Sequence, residues 1–291
     1  MTRGFTIPIG GAEEKIRTPD ILSRFVALCG GERARIVVVP TASMLPTTGR
    51  KYEIVFKRLG VADVTVVPME TRADAARARN VDALDGADGV FMTGGNQLRL
   101  STTLGGTPFA DRMRHLHAHG LHVAGTSAGA AVMSAHMIAF GDDGPTPRAD
   151  MVTLAPGFGF TDLAIIDQHF RQRDRIGRLL TALSYNPSFV GVGLDEDTAA
   201  FIGPDDVLTV AGSGAITVVD PSDVSFTSLD SANRHDPVSI LGVRLHVLTD
   251  GAKYDLMERR ATPPSVRADL PPVGEAKDDV IDAAAVREAI S

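Results

Sequence analysis

The sequence has little of several features that mark secreted, membrane-spanning or nucleic-acid-binding proteins. Only one of its 291 residues, Cys29, is a cysteine, which excludes an intrachain disulfide and fits a reducing compartment. Its 29 basic residues are outnumbered by 36 acidic ones, so a net charge of −7 offers no basic face for nucleic acid. No apolar run is long enough to cross a membrane, and the N-terminal one is too short for the core of a signal peptide. We therefore expect a cytoplasmic protein that binds neither nucleic acid nor membrane.

The first two thirds of the chain alternate short apolar runs with amphipathic stretches. The apolar runs, such as RIVVV at 35–39 and GVFM at 89–92, are rich in β-branched residues and do not alternate with polar ones. Strands of this kind are covered by helices on both faces, so the pattern predicts an α/β fold: a three-layer α/β/α sandwich around a mostly parallel sheet. Shorter, alternating runs between Ala199 and Val247 predict antiparallel strands added to that sheet. We expect one domain over residues 1–260 and an appendage rich in Pro, Asp and Ala over 261–291, with a short helix at 283–290.

The most informative segment is a G-x-S-x-G motif centred on Ser127. It follows the apolar residues 121–124 and precedes the helix-forming run AGAAVMSAH at 128–136. A serine at a tight turn between a strand and a helix is typical of a nucleophile elbow, because flanking glycines let the backbone turn sharply. The motif therefore predicts a hydrolase with Ser127 as its nucleophile.

A serine hydroxyl is a weak nucleophile, so Ser127 needs a general base and an acid that orients it. The histidine we favour is His169, which follows the apolar residues 164–166 at the predicted end of a strand. For the acid we favour Glu196, at the end of the next strand, and its competitors are Asp142, Asp143 and Asp167. The order serine, histidine, acid differs from the serine, acid, histidine order of α/β-hydrolases, which weakens an esterase or lipase interpretation.

The developing alkoxide also needs hydrogen-bond donors. The backbone N–H of Ala128 lies at the predicted start of the elbow helix, and a second N–H is available from Gly94 or Gly95, of which we favour Gly95. After His169 comes a predicted basic helix from about Arg171 to Leu183, whose guanidinium groups suit the binding of substrate carboxylates.

Neither a metal nor a nucleotide cofactor is expected. His115 and His119 share a predicted helical face with Asp111, but a solvated surface helix is the better interpretation because no further ligand supports zinc. The segment GGAEEK at 10–15 follows the first strand without the lysine-serine ending of a P-loop or full G-x-G-x-x-G spacing.

Six motifs, in order over residues 10–248, resemble one known family. They are GGAEEK, RIVVVPTAS, FMTGGNQLRL, GTSAGAAVMS, IIDQHFRQRDRIGRL and GLDEDTA. This set resembles cyanophycinase, of the serine peptidase family that also contains aspartyl dipeptidase. The resemblance implies a fold akin to the class I glutamine amidotransferases (flavodoxin-like), a homodimer, and an exopeptidase that releases β-Asp-Arg dipeptides from cyanophycin, a polyaspartate with arginine on each side-chain carboxyl.

The same resemblance assigns roles to individual residues. It makes Ser127 the nucleophile, His169 the general base and Glu196 the orienting acid. It implies a substrate pocket lined by Gln97, Asp167, Gln168, Arg173, Arg175 and Arg178. Two alternatives stay open: an aspartyl or isoaspartyl dipeptidase with the same triad, and a non-catalytic binding protein on an amidotransferase-like fold.

Overall fold

The computed structural model of the chain describes residues 2–264. The α-helices are α1 (Asp20–Leu28), α2 (Thr48–Arg58), α3 (Arg72–Ala75), α4 (Ala78–Asp82), α5 (Gln97–Leu104), α6 (Pro108–His117), α7 (Ala128–Ala131) and α8 (Ile176–Tyr185). The strands are β1 (Thr6–Ile9), β2 (Arg35–Val39), β3 (Asp63–Val66), β4 (Gly89–Met92), β5 (His122–Thr126), β6 (His136–Gly141), β7 (Val152–Pro156), β8 (Ala164–Gln168), β9 (Val190–Leu194), β10 (Thr198–Ile202), β11 (Val207–Gly212), β12 (Ile216–Asp220), β13 (Phe226–Thr227), β14 (Ile240–Leu241), β15 (Arg244–Leu248), β16 (Lys253–Asp255) and β17 (Arg260–Thr262). The helix expected at 283–290 lies outside the described residues, and no helix among residues 2–264 is long and apolar enough to span a membrane.

The main sheet has nine strands in the order β17-β16-β11-β10-β1-β5-β4-β2-β3. Strands β1, β5, β4, β2 and β3 run parallel to one another, whereas β10, β11, β16 and β17 extend the sheet in antiparallel fashion. Successive residues of β2 face opposite cores: Ile36 and Val38 pack in one apolar cluster, and Val37 and Val39 in the other. Both faces of the sheet are thus covered, which confirms the predicted α/β fold with added antiparallel strands.

A second sheet, of order β15-β12-β9-β8, was not predicted from the sequence. Strands β8 and β9 are parallel, and β12 runs antiparallel to β9 and to β15. Ile165 packs with Leu179 of α8, whereas its neighbour Ile166 packs in the core shared with the main sheet. Strands buried on both faces need two covering layers, so this sheet lies between α8 and the main core. The strands expected after Ala199 therefore divide among three sheets: β10 and β11 join the main sheet, β12 and β15 join the second, and β14 pairs with β13 in a two-stranded sheet.

The elbow helix is shorter than the sequence suggests. Instead of running to residue 136, α7 ends at Ala131, and β6 begins at His136. The N–H of Ala135 donates to the carbonyl of Thr161 (2.8 Å), and the carbonyl of Val132 accepts from the N–H of Phe158 (2.6 Å). Pairing with residues 157–161 thus takes the backbone groups that a longer helix would use.

The predicted basic helix also begins later than expected. Residues 171–173 form a single 3₁₀ turn, and Asp174 follows with a φ of 51°, which interrupts a right-handed helix. Helix α8 begins at Ile176, so of the nearby arginines only Arg178 lies on it. Arg173 and Arg175 belong instead to the segment that joins His169 to the helix.

Candidate active site

Ser127 lies at the turn between β5 and α7 in a backbone conformation that side chains rarely adopt. Its φ is 53° and its ψ is −110°, a strained region that costs about 1–3 kcal/mol and is concentrated at functional sites. The two glycines of the motif are needed for packing. A Cβ on Gly125 would lie 2.5 Å from the carbonyl oxygen of Gly129, and one on Gly129 would lie 2.3 Å from that of Met92. The elbow therefore packs directly against the backbone of β4.

Three side chains form a continuous hydrogen-bonded line at this turn. The Oγ atom of Ser127 is 2.9 Å from Nε2 of His169, and Nδ1 of His169 is 2.7 Å from Oε1 of Glu196. His169 and Glu196 follow the ends of β8 and β9, which are parallel neighbours, so sheet pairing brings them together. A line of nucleophile, imidazole and carboxylate is the arrangement needed for proton transfer from a serine.

The competing acids contact other groups. Asp143 accepts a hydrogen bond from Nε of Arg175 (3.0 Å), and Asp167 accepts one from Nε of Arg178 (2.6 Å). Asp142 makes no hydrogen bond to His169. Glu196 is thus the carboxylate that meets the imidazole.

The environment of His169 favours the neutral imidazole. Burial lowers its pKa below the ordinary 6.5, and the hydrogen bond to Glu196 acts in the opposite direction without cancelling that effect. The positive charges of Arg173 and Arg175 lower the pKa further. A neutral imidazole can accept the hydroxyl proton of Ser127 near neutral pH, which is what a general base must do.

Two backbone N–H groups near Ser127 are free to bind an oxyanion. A Cβ on Gly94 would be 3.4 Å from Cβ of Ser127, so the turn after β4 lies against the serine. The N–H groups of Gly95 and Ala128 donate to no acceptor within residues 2–264. Gly95 has a φ of 144°, and a Cβ there would be 2.2 Å from the carbonyl oxygen of Ala42, so no larger residue fits. Unused donors beside a serine hydroxyl suit the stabilisation of a tetrahedral intermediate.

Three of the charged residues expected in the substrate pocket pair with one another. Asp167 is fully buried between the guanidinium groups of Arg175 and Arg178, and Nη2 of Arg178 also donates to it. Nη1 of Arg175 donates to the carbonyl oxygen of Gln168 (2.5 Å), whose side chain is buried as well. Because these buried charges are compensated inside the protein, their visible role is to hold the segment that carries His169.

The other two expected pocket residues retain unused polar atoms. Arg173 is exposed, and its guanidinium makes no hydrogen bond or ion pair with any residue in the described range. Gln97 donates from Nε2 to the carbonyl oxygens of Ile138 (3.2 Å) and Ala139 (2.9 Å), which leaves its Oε1 as an acceptor. These two side chains are available to a ligand in a way that the buried arginines are not.

Two residues in the loop after β1, Gly11 and Glu13, contact the site and were not predicted from the sequence. Buried Glu13 accepts hydrogen bonds from Oγ1 of Thr126 (2.6 Å) and from the hydroxyl of Tyr52 (2.6 Å), which anchors the residue before Ser127. Gly11 has a φ of 104°, and a Cβ there would be 2.3 Å from Cε1 of His169. Both residues lie in the segment GGAEEK, which the sequence marks as one of six family motifs and as a poor match to a phosphate-binding loop, without assigning a role to Gly11 or Glu13.

Within residues 2–264, no three His, Cys, Asp or Glu side chains converge in a metal-binding arrangement. His115, on α6, and His119, in the turn after it, are exposed and have ring centroids 4.4 Å apart.

Comparison with known proteins adds independent findings. The family model described as Peptidase family S51 matches residues 7–210. The cyanophycinase of Synechococcus elongatus is 43% identical over 256 residues, covering 87% of this chain and 80% of the relative. The cyanophycinase of Geminocystis herdmanii is 39% identical over 255 residues, covering 87% and 94%. Among solved structures, a crystal structure of a peptidase from an acI-B1 actinobacterium covers 87% of this chain and 97% of its own, with a TM-score of 0.66 at 20% identity, a likeness of fold.

Proposed function

The chain belongs to peptidase family S51, a serine-type peptidase family, and we propose that it is an exopeptidase that hydrolyses cyanophycin to β-Asp-Arg dipeptides. The observation that carries this proposal is the line of hydrogen bonds from Ser127 through His169 to Glu196. Two relatives at 43% and 39% identity named cyanophycinase support the choice of substrate.

In the proposed first step, Oγ of Ser127 attacks the main-chain carbonyl carbon that joins two aspartates. His169 takes the hydroxyl proton on Nε2, and Glu196 orients the ring and stabilises the imidazolium through Nδ1. The negative charge on the carbonyl oxygen meets the free N–H groups of Ala128 and Gly95. His169 then gives the proton to the leaving amine, the C–N bond breaks, and an acyl-enzyme ester on Ser127 remains.

In the second step, a water molecule replaces the amine. Neutral His169 removes a proton from the water, which attacks the ester carbonyl, and the same N–H groups bind the oxyanion. The imidazolium returns the proton to Oγ of Ser127 as the ester bond breaks, which releases the acid product and regenerates the enzyme.

The charge pattern around the site suits a substrate that carries both signs. Each unit of cyanophycin presents a free carboxylate and a guanidinium, and free Arg173 offers a partner for the carboxylate. In this proposal Arg175 and Arg178, which are paired with Asp167, position the segment between His169 and α8. Gln97 contributes its unused Oε1, and Gln168 holds Arg175 through its carbonyl.

Two further parts of the proposal concern the state of the protein in the cell. We expect a homodimer, which the resemblance to cyanophycinase implies, and a cytoplasmic location, which the single cysteine and the lack of long apolar runs favour. Light scattering coupled to size-exclusion chromatography tests the first, and fractionation of the source cells tests the second.

The proposal is tested by incubating purified protein with insoluble cyanophycin in the presence of a chelator. Clearing of the suspension and release of β-Asp-Arg, identified by mass spectrometry, are expected for the wild type and not for Ser127→Ala. Removal of a nucleophile leaves only the contributions of binding and of the oxyanion hole, so turnover should fall by several orders of magnitude.

The alternatives predict other results. Hydrolysis of aspartyl or isoaspartyl dipeptides without clearing of cyanophycin would indicate a dipeptidase. Absence of hydrolysis on every substrate, with identical behaviour of the wild type and Ser127→Ala, would indicate a non-catalytic binding protein.

A further inference from the structure

A cavity that the proposed mechanism does not use lies at the carboxyl ends of β2 and β3. Its volume is about 260 Å³, and we call it the β2–β3 pocket. Its lining includes Thr41, Met44, Leu45, Glu70 and Arg99. Two conspicuous sequence motifs, RIVVVPTAS and FMTGGNQLRL, contribute to its lining.

The β2–β3 pocket carries one negative and one positive group that the protein leaves unused. The Nε atom of Arg99 donates to the carbonyl oxygen of Thr41 (3.2 Å), which fixes the start of the guanidinium. Its Nη groups make no hydrogen bond or ion pair within the described part of the chain, and neither does the exposed carboxylate of Glu70. The hydroxyl of Thr41 is buried and also lacks a partner there. Unpaired polar groups that converge on a cavity are typical of a ligand site.

The pocket lies within reach of the nucleophile. In the main sheet β5, which ends beside Ser127, is separated from β2 by β4 alone, so two strand spacings, together about 10 Å, lie between them. The two regions are also in contact, because the carbonyl of Ala42 accepts from the N–H of Asn96 (3.0 Å) beside Gly95 of the proposed oxyanion hole.

We propose that the β2–β3 pocket binds one arginine branch of the substrate, with its guanidinium on Glu70 and its α-carboxylate on Arg99. The inference rests on the proposed function, since it is cyanophycin that presents arginines with free carboxylates. From the main-chain Cα to the guanidinium carbon the branch spans about nine bonds, the contour of roughly three extended residues or about 10 Å. That contour covers the two spacings from β5 to β2. Glu70 follows β3, one spacing of about 5 Å farther, so the branch that reaches it belongs to a unit one or two residues along the main chain from the scissile bond.

The apolar rim of the pocket suits the stem of the same branch. Met44 and Leu45 are 82% and 65% exposed, which is unusual for large apolar side chains. An arginine stem of methylene groups can cover such side chains while its charged end stays in polar surroundings. The pocket thus matches a branch in sign, length and amphipathic character.

The test separates binding from turnover by using two soluble oligomers of a few units. One carries arginine on each aspartate, and the other carries citrulline, which lacks the positive charge but keeps the carboxylate. In the Ser127→Ala background, calorimetric titration should show Glu70→Gln weakening binding of the arginine oligomer about five- to tenfold and of the citrulline oligomer less than about twofold. Arg99→Gln should weaken binding of both. In otherwise active protein, the same substitutions should raise KM and leave kcat within about twofold.

Glu258→Gln is the matched control, because Glu258 is an exposed carboxylate in the turn before β17, at the opposite edge of the main sheet. It should change neither affinity. Two results would overturn the assignment of the pocket: Glu70→Gln binds the arginine oligomer as tightly as its parent does, or it weakens binding of both oligomers equally. If the wild type still turns cyanophycin over, the proposed function stands in either case. Binding that depends on Glu70 without turnover by the wild type would uphold the pocket and refute the function, and absence of both binding and turnover would refute both.

Discussion

The contact between Gly11 and His169 gives a prediction that can be worked from distances. Replacing Gly11 with alanine places a Cβ 2.3 Å from Cε1 and 2.7 Å from Nε2 of His169. Ordinary contacts between such atoms begin near 3.4 Å, so the ring must move by about 1 Å. A displacement of this size within a catalytic arrangement costs roughly 10²-fold in rate. We therefore expect kcat to fall about a hundredfold.

The substitution has a second effect that must be separated from the first. Gly11 has a φ of 104°, and an alanine in the left-handed region costs about 1–2 kcal/mol of stability wherever it is placed. Gly30 provides a matched control, because its φ is 107° and a Cβ there would meet no atom within 4 Å. Gly30→Ala should lose a similar amount of stability and keep its activity.

Reaction with a fluorophosphonate measures the outcome without assuming a natural substrate, since it depends on activation of Ser127 by His169. The labelling rate and the Tm of both variants should be compared with the wild type. The reasoning is refuted if Gly11→Ala labels within about threefold of the wild-type rate, or if Gly30→Ala loses as much rate as Gly11→Ala.

Three further predictions follow from the same site and its surroundings. Glu196→Gln should lower kcat by about 10²–10⁴ with little change in Tm, because the amide can hold the wrong imidazole tautomer; unchanged kcat would exclude Glu196 as the orienting acid. Arg173→Gln removes a positive charge that lowers the pKa of His169, so the acid limb of the kcat/KM profile should move to higher pH, and a shift to lower pH would contradict this. Burial lowers the pKa of His117 from 6.5 to about 4. As pH falls, His117 is therefore protonated in the unfolded chain before it is protonated in the folded protein, and the free energy of unfolding decreases between pH 6.5 and 4. The loss is about 3 kcal/mol, and His117→Gln should remove most of it in denaturant titrations at about pH 7.5 and 4.5.

The sequence predicted the parallel half of the main sheet well because its strands are local, continuous apolar runs. The composition of such a run does not indicate which of two sheets the strand will join. Strands β9 and β12 resemble those of the main sheet in composition, and only their burial between α8 and the main core separates them. The length of α7 was overestimated for a related reason: its termination depends on hydrogen bonds to residues 157–161, far along the chain.

The site shows the same division between local and distant information. The elbow at Ser127 is readable because strand, turn and helix are consecutive, and His169 and Glu196 each follow an apolar run. Sequence could not show that Asp167 is enclosed by Arg175 and Arg178, because that depends on α8 packing over the end of β8. Nor could it show that Gly11 touches the imidazole, since the contact joins loops from two different sheets.

The most direct test of the central claim is a search for an acyl-enzyme on Ser127 during turnover of cyanophycin. Acid quenching within the first turnovers, followed by proteolysis and mass spectrometry, should find the peptide that contains Ser127 heavier by one or more β-aspartyl-arginine units. The adduct should be absent from Ser127→Ala and from wild type quenched before substrate is added. Rapid release of dipeptide without any adduct, together with undiminished activity of Ser127→Ala, would contradict the account.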